Sequence, residues 1–236
     1  MRIRWISGLG LLLSFALSGV VAANAGTAAT VSSVDTMFVG GTGAVELTEA
    51  ELFDIGVVAK DKGISMDQAV AELAGQNEFA SLTTEISEQF PDQFAYARWD
   101  KGVGEVGMKG ALPAGAAEVA NQSPARVKVV QGIGWAEKDV KAAGEALHYA
   151  VRDATGGAEV HTDIDAETGT VSVTFDGAPG ATTRTASQVV ATPEVAKAAS
   201  RIPAGVTVAI TKGTVGGGSD TVYGVGTWAA ARPASR

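Results

Sequence analysis

Two histidines, one serine in a glycine-rich run and a short alternation of carboxylates are the residues whose types suit chemistry. His148 and His161 are the only histidines in the 236 residues. Hydrolysis by a serine needs a hydroxyl, a base and an orienting carboxylate converging on one point. The candidate hydroxyl is Ser219 in GGGSD, a glycine-rich stretch with no strand-turn-helix elbow around it. His148 falls on a predicted helix, four residues after Gly144, and His161 alternates with Asp163 along a predicted strand. A triad from these residues is disfavoured, and solvated or half-buried histidines are the plainer reading.

Asp163, Asp165 and Glu167 (DIDAETG) match a calcium loop only in part. Gly169 falls one place late, and the twelfth position is Thr174 rather than a bidentate Glu. Carboxylates on the open face of a hairpin explain the alternation better. The glycines at 40, 41 and 43 follow no strand-to-helix unit, so they do not read as a phosphate loop. Glu137 and Asp139 suit the positive end of a helix and need no catalytic role. Trp99, Trp135 and Trp228 are too scattered for a sugar-binding platform. No catalytic residue, metal or cofactor is expected.

The composition narrows the classes further. With no cysteine there is no disulfide scaffold, thiolate metal site or cysteine nucleophile. Eighteen Lys+Arg against 26 Asp+Glu give a formal net charge of −8, which argues against nucleic acid and anionic membrane as partners. Thirty glycines mark a turn-rich globular chain with room for a real core.

The first 25 residues have the layout of a secretory signal peptide. Arg2 and Arg4 precede an uncharged apolar run from Ile6 to Leu17, and Ala23 and Ala25 stand at −3 and −1 of an A-x-A cleavage site. The apolar run is shorter than the ~20 residues a membrane span needs. The expected product is secreted, begins at Gly26 and keeps no membrane segment. Removing 25 residues and two arginines leaves 211 residues with a net charge of −10.

Residues 26–45 are small, glycine-rich and nearly uncharged, and read as a flexible leader. Thr48 and Glu51 form a capping-box pattern ahead of a helix over 48–61, which Gly63 ends. Ser65 starts a second such pattern, followed by Ala69, Leu73, Phe79, Leu82, Ile86 and Phe90. That spacing predicts one long amphipathic helix over about 65–90, stopped by Pro91. Alternation then predicts a hairpin, 94–100 with 105–110 around Lys101–Gly104, a short helix over 113–121 and a strand over 125–135. A clear helix over 136–154 carries Val140, Ala143, Leu147 and Val151 on one stripe. A second hairpin (158–166 with 170–177), a Pro-interrupted helix over 185–200 and a strand over 206–211 complete the pattern, and the rest reads as a flexible tail over 213–236.

Hairpin, helix, strand thus occurs twice. The expected class is α+β: two small three-stranded sheets, each packed with helices, preceded by a long N-terminal amphipathic helix. The expected lobes are 46–135 and 136–212.

The segment FAYARWD carries a resemblance. An amphipathic helix followed by a strand with Phe94, Ala95, Trp99 and Asp100, then a hairpin, resembles the pro-region of secreted bacterial chymotrypsin-like serine endopeptidases of the alpha-lytic and streptogrisin type. VHTDIDAETGTVSVTFDG (160–177) is similar to that family's second-lobe hairpin, and the likeness covers about 62–223. In the family a protease domain follows, opening near a Cys-Thr-(Ser/Thr) segment and carrying a Gly-Asp-Ser-Gly-Gly nucleophile. This sequence has neither, so no catalytic residue carries over.

The resemblance implies a folding template and inhibitor whose partner is a chymotrypsin-like protease domain. The physical basis expected is a strand edge that extends the partner's sheet, formed by Val206, Thr207, Val208, Ala209, Ile210 and Thr211. The tail beyond it would lie in the partner's cleft like a product, and Asp220, Thr221, Val222 and Tyr223 read as the processing junction. The acidic charge suits a basic partner. After Tyr223 the composition turns to Ala, Arg, Pro and Gly. Ordinary GC-rich codons for Val225–Ser235, read two bases out of frame, give R-H-L-G-G-C-T-T, with the Cys-Thr-Thr of the family's protease opening. The tail over 224–236 is therefore expected to be a shifted frame. Two other classes stand beside this one: an exported cell-surface binding or structural module without a protease partner, and a hydrolase using Ser219 and a histidine.

Overall fold

The computed structural model describes residues 34–41, 43, 45–176 and 184–213. Its class is α+β, with one four-stranded and one three-stranded sheet, both mixed. The expected signal segment with Ala23 and Ala25, the junction at 220–223 and Ser219 lie outside the described residues.

Helix α1 (Glu49–Lys62) starts where the sequence places it. The Glu51 amide donates to Thr48 Oγ1 (3.2 Å), the Thr48 amide donates to Glu51 Oε2 (2.9 Å), and Gly63 closes the helix in the left-handed conformation. The single helix expected over 65–90 is two helices, α2 (Met66–Leu73) and α3 (Gln76–Gln89). The break falls at Gly75, at φ +89°, where a Cβ would stand 2.9 Å from Ala125 Cβ and 3.3 Å from the Trp99 ring. The break lets one amphipathic sequence serve two cores. Ala69 of α2 packs with Ile55 and Ala59 of α1, while Phe79, Leu82 and Ile86 of α3 pack on the first sheet.

That sheet holds β1 (Asp35–Gly40), β2 (Phe94–Asp100), β3 (Val103–Lys109) and β4 (Arg126–Ile133) in the order β1-β4-β3-β2. Residues 35–40 were expected in a flexible leader and three strands were expected here. Instead β1 pairs antiparallel with β4, setting Val39 opposite Val127, and Val39 is buried. The run Met37-Phe38-Val39 suits a strand, but the glycines beside it mask that in the sequence. Gly40 ends the strand at φ +67° within 2.9–3.0 Å, for a built Cβ, of the carbonyl oxygens of Ala120, Ser123 and Ala125.

β2 and β3 form a hairpin, and α4 (Ala114–Asn121) carries the chain to β4, which runs parallel to β3. The connecting turn is Lys101–Gly102, two residues rather than the four expected. Both have positive φ (47° and 83°), the backbone that a two-residue turn between right-twisted strands requires. Gly102 also meets α2, since a Cβ there would sit 2.2 Å from the Ala71 carbonyl oxygen. Gly102→Ala is expected to cost about 1–3 kcal/mol, from left-handed strain plus the clash with rigid backbone. Urea unfolding measures it. A loss below about 0.3 kcal/mol would show that the turn relaxes freely.

Helix α5 (Glu137–Ala154) leads into the second lobe, where β5 (Val160–Asp165), β6 (Thr170–Phe175) and β7 (Thr207–Lys212) form a sheet in that order. β5 and β6 are an antiparallel hairpin; α6 (Ala186–Val190) and α7 (Pro193–Ala199) intervene, and β7 runs parallel to β6. Pro193 takes the first helical position of α7, which is why the helix expected over 185–200 comes in two pieces. The architecture of hairpin, helix and parallel third strand therefore occurs in both lobes. The second core gathers Val140, Leu147 and Val151 of α5 with Val171, Val173, Phe175, Val208 and Ile210 of the sheet and Val189 and Val195 of α6 and α7.

Candidate functional site

β7 is the third strand of its sheet and, among the described residues, pairs only with β6. Its side chains alternate. Val208 and Ile210 are buried in the core, whereas Thr207, Ala209 and Thr211 lie on the opposite face, level with Thr170, Ser172 and Thr174 of β6. The backbone alternates as well. The amides of Thr207 and Gly213 donate to the carbonyls of Gly169 (2.8 Å) and Phe175 (3.0 Å). In a parallel pair the even-numbered residues between them turn their N–H and C=O groups the other way. Val208, Ile210 and Lys212 therefore aim main-chain donors and acceptors at the open edge. The strand expected over 206–211 begins one residue later, at Thr207, and ends one later, at Lys212.

The histidines do not converge. His148 on α5 faces Thr162 (Nδ1···Oγ1 3.1 Å), while His161 lies exposed on the other face of β5 beside Asp163 (Nε2···Oδ1 3.1 Å). The DIDAETG carboxylates form no cation cage. Asp165 Oδ1 accepts from the amides of Glu167 (3.0 Å) and Thr168 (3.2 Å), bracing the β5–β6 turn, and Glu167 reaches Arg98 of β2 at 2.7 Å. Among the described residues no group of three or more His, Asp or Glu side chains is arranged to hold a metal ion.

Sequence reasoning missed a carboxylate cluster on the first sheet. Glu105, in the middle of β3, is buried although it lies on the face away from α3. Three side chains satisfy it: Lys128 of β4 (Nζ···Oε2 2.7 Å), the Tyr96 hydroxyl (2.9 Å) and Arg98 (3.1 Å). Burial pushes the Glu105 carboxyl up, but the hydrogen bonds from Lys128, Arg98 and Tyr96 outweigh it and hold the group below the usual carboxylate range. Burial and the bond to Glu105 push the Tyr96 phenol well above its ordinary value. Arg98 then spans two lobes, with one nitrogen on Glu105 and the other on Glu167. Burial raises Glu167 despite the guanidinium beside it.

Trp135, between β4 and α5, completes the joint. Its Nε1 donates to the Ala166 carbonyl at 2.8 Å. Its ring lies against Gly169 and Gly205, where built Cβ atoms would stand 2.4 and 3.3 Å away. Lys109 of β3 pairs with Asp139 of α5 at 3.1 Å, and Lys138 pairs with Asp92. The cluster is thus structural: each charged group at its centre is already partnered, and what it does is seat the β5–β6 turn of the second lobe on the first sheet.

One finding comes from comparison with known proteins: no family model matches this sequence, and no curated protein matches it either. Among the described residues no helix is long and apolar enough to cross a membrane.

Proposed function

We propose that this chain is an exported pro-domain-like protein that acts as folding template and inhibitor for a chymotrypsin-like serine endopeptidase domain, meeting it in trans. The observation that carries the reading is the open edge of β7. It ends the second hairpin-helix-strand unit and presents the main-chain groups of Val208, Ile210 and Lys212 to an incoming strand. β-Augmentation uses such an edge, with main-chain bonds supplying affinity. The chain itself performs no catalysis in this reading, and needs no metal or cofactor.

Refolding a denatured alpha-lytic-type protease with and without the chain tests the proposal. The expected result is a higher yield of active protease, followed by inhibition of the refolded enzyme. No gain in yield and no inhibition would overturn it. Lys212→Pro sharpens the test, because it deletes one outward N–H without touching the buried Val208 and Ile210. Inhibition is expected to weaken about tenfold, the worth of one net hydrogen bond, with little loss of fold stability. Unchanged inhibition would place the contact elsewhere.

A further inference from the structure

Helix α1 buries one face and leaves an apolar one in water. Ile55 and Ala59 point into the small core shared with α2. On the opposite side, Phe53 and Val57, four residues apart, are 72% and 55% exposed. Leu52 and Met66 are also exposed, and the Met66 sulfur lies 4.0 Å from a Cβ built on Gly56, which joins them to the same surface. Single exposed apolar residues are ordinary; three on one helix, Leu52, Phe53 and Val57, with Met66 of α2 beside them, mark a contact surface.

The charge around the stripe is unevenly placed. Residues 46–92 carry eleven of the 26 acidic side chains and two of the 18 basic ones, a net −9; α1 itself holds four of those acids and both bases, Lys60 and Lys62 in its last turn. Residues 93–236 balance at fourteen of each, so this helical segment accounts for the whole negative charge of the chain. Glu49, Asp54 and Asp61 lie beside the stripe on α1 and, among the described residues, take part in no ion pair. A second copy seated on this face would bring two such segments together, and their repulsion opposes it. A basic occupant gains from both the stripe and its surround.

We infer that the outer face of α1 is a docking surface for a cationic amphipathic polypeptide segment, one that lays an apolar stripe on Phe53, Val57, Leu52 and Met66 and sets Lys or Arg side chains against Glu49, Asp54 and Asp61. The mode is the packing of one amphipathic face on another, in which apolar anchors give affinity and flanking charges give orientation and rate. The inference does not rest on the reading of β7.

The probe is a fluorescein-labelled Leu/Lys peptide of helical periodicity, with its Leu/Glu counterpart and a scrambled Leu/Lys peptide as controls, titrated by anisotropy. The full chain is expected to bind the Leu/Lys helix saturably, the scrambled peptide at least tenfold more weakly and the Leu/Glu peptide not at all. The double variant Phe53→Ala, Val57→Ala, whose lost side chains are solvent-facing, is expected to keep its circular dichroism and weaken binding about tenfold or more. Asp54→Asn with Asp61→Asn is expected to weaken it several-fold and flatten its salt dependence. Equal binding of the scrambled peptide, or binding indifferent to Phe53→Ala, Val57→Ala, would reduce the effect to bulk charge and overturn the inference. So would sedimentation showing a dimer that this double variant dissolves, because the face would then belong to a second copy.

Discussion

Leu147→Ala is expected to destabilise the chain by about 2–5 kcal/mol, the largest single effect among the substitutions considered. Leu147 sits on the inner stripe of α5, fully buried, where the helix meets Val171, Val173 and Phe175 of the second sheet. The substitution removes apolar contact and leaves a cavity. Thermal unfolding should register a fall of about 2–4 °C per kcal/mol for a chain of this size. A change below about 0.5 kcal/mol, the range of surface positions, would mean that α5 buries a different face.

Glu105→Ala is the second large effect, expected at about 2–4 kcal/mol. The substitution strips the shared acceptor from Lys128, Arg98 and Tyr96 at once. Lys128 is 34% and Arg98 44% exposed, so water takes up part of their loss and the cost stays below that of a fully buried orphaned charge. The pH dependence gives a separate signature. The folded pKa of Glu105 is lowered, so its contribution is fully present above the unfolded pKa near 4.3 and is lost as pH falls toward the folded value. Glu105→Gln should therefore cost stability at neutral pH and narrow the gap from the parent in acid. Denaturant midpoints at pH 7 and pH 3 measure this. A gap between parent and Glu105→Gln that stays constant across that range would show that the carboxylate charge contributes nothing.

Most of the secondary structure was legible because its causes are local. Thr48 with Glu51 announced α1, the 3.6-residue stripe of Val140, Ala143, Leu147 and Val151 announced α5, and alternation announced both hairpins. The departures have non-local causes. Gly75 looks like a tolerated helix glycine until Ala125 and Trp99, distant in sequence, require it to turn. β1 exists because β4, some ninety residues later, offers Val127 and Val129 to Val39 and Met37.

The carboxylate cluster divides the same way. A two-residue turn at Lys101–Gly102 fixes Arg98 opposite Glu105, so that pair was within reach of sequence reasoning once the turn was shortened. Lys128 was not, because its place beside Glu105 depends on a parallel pairing across α4. The open edge of β7 was anticipated as a strand, Val206–Thr211; which amides face outward follows only from its pairing with β6.

The placement of β7 also sets a schedule. The hairpins join neighbours in sequence, but β7 must return to β6 across α6 and α7, and the Thr207 amide bonds to a carbonyl 38 residues earlier. Loop closure of that span precedes any gain from pairing. Val208 and Ile210 supply one wall of the second core, so the other side chains of that core have no complete partner until the strand has been synthesised. A chain emerging from the ribosome can finish its first sheet at Ile133, and from the end of the β5–β6 hairpin at Phe175 it carries α5 and that hairpin with an unfilled face until β7 is made at Thr207–Lys212. Over that interval the second lobe is open to chaperones and proteases alike.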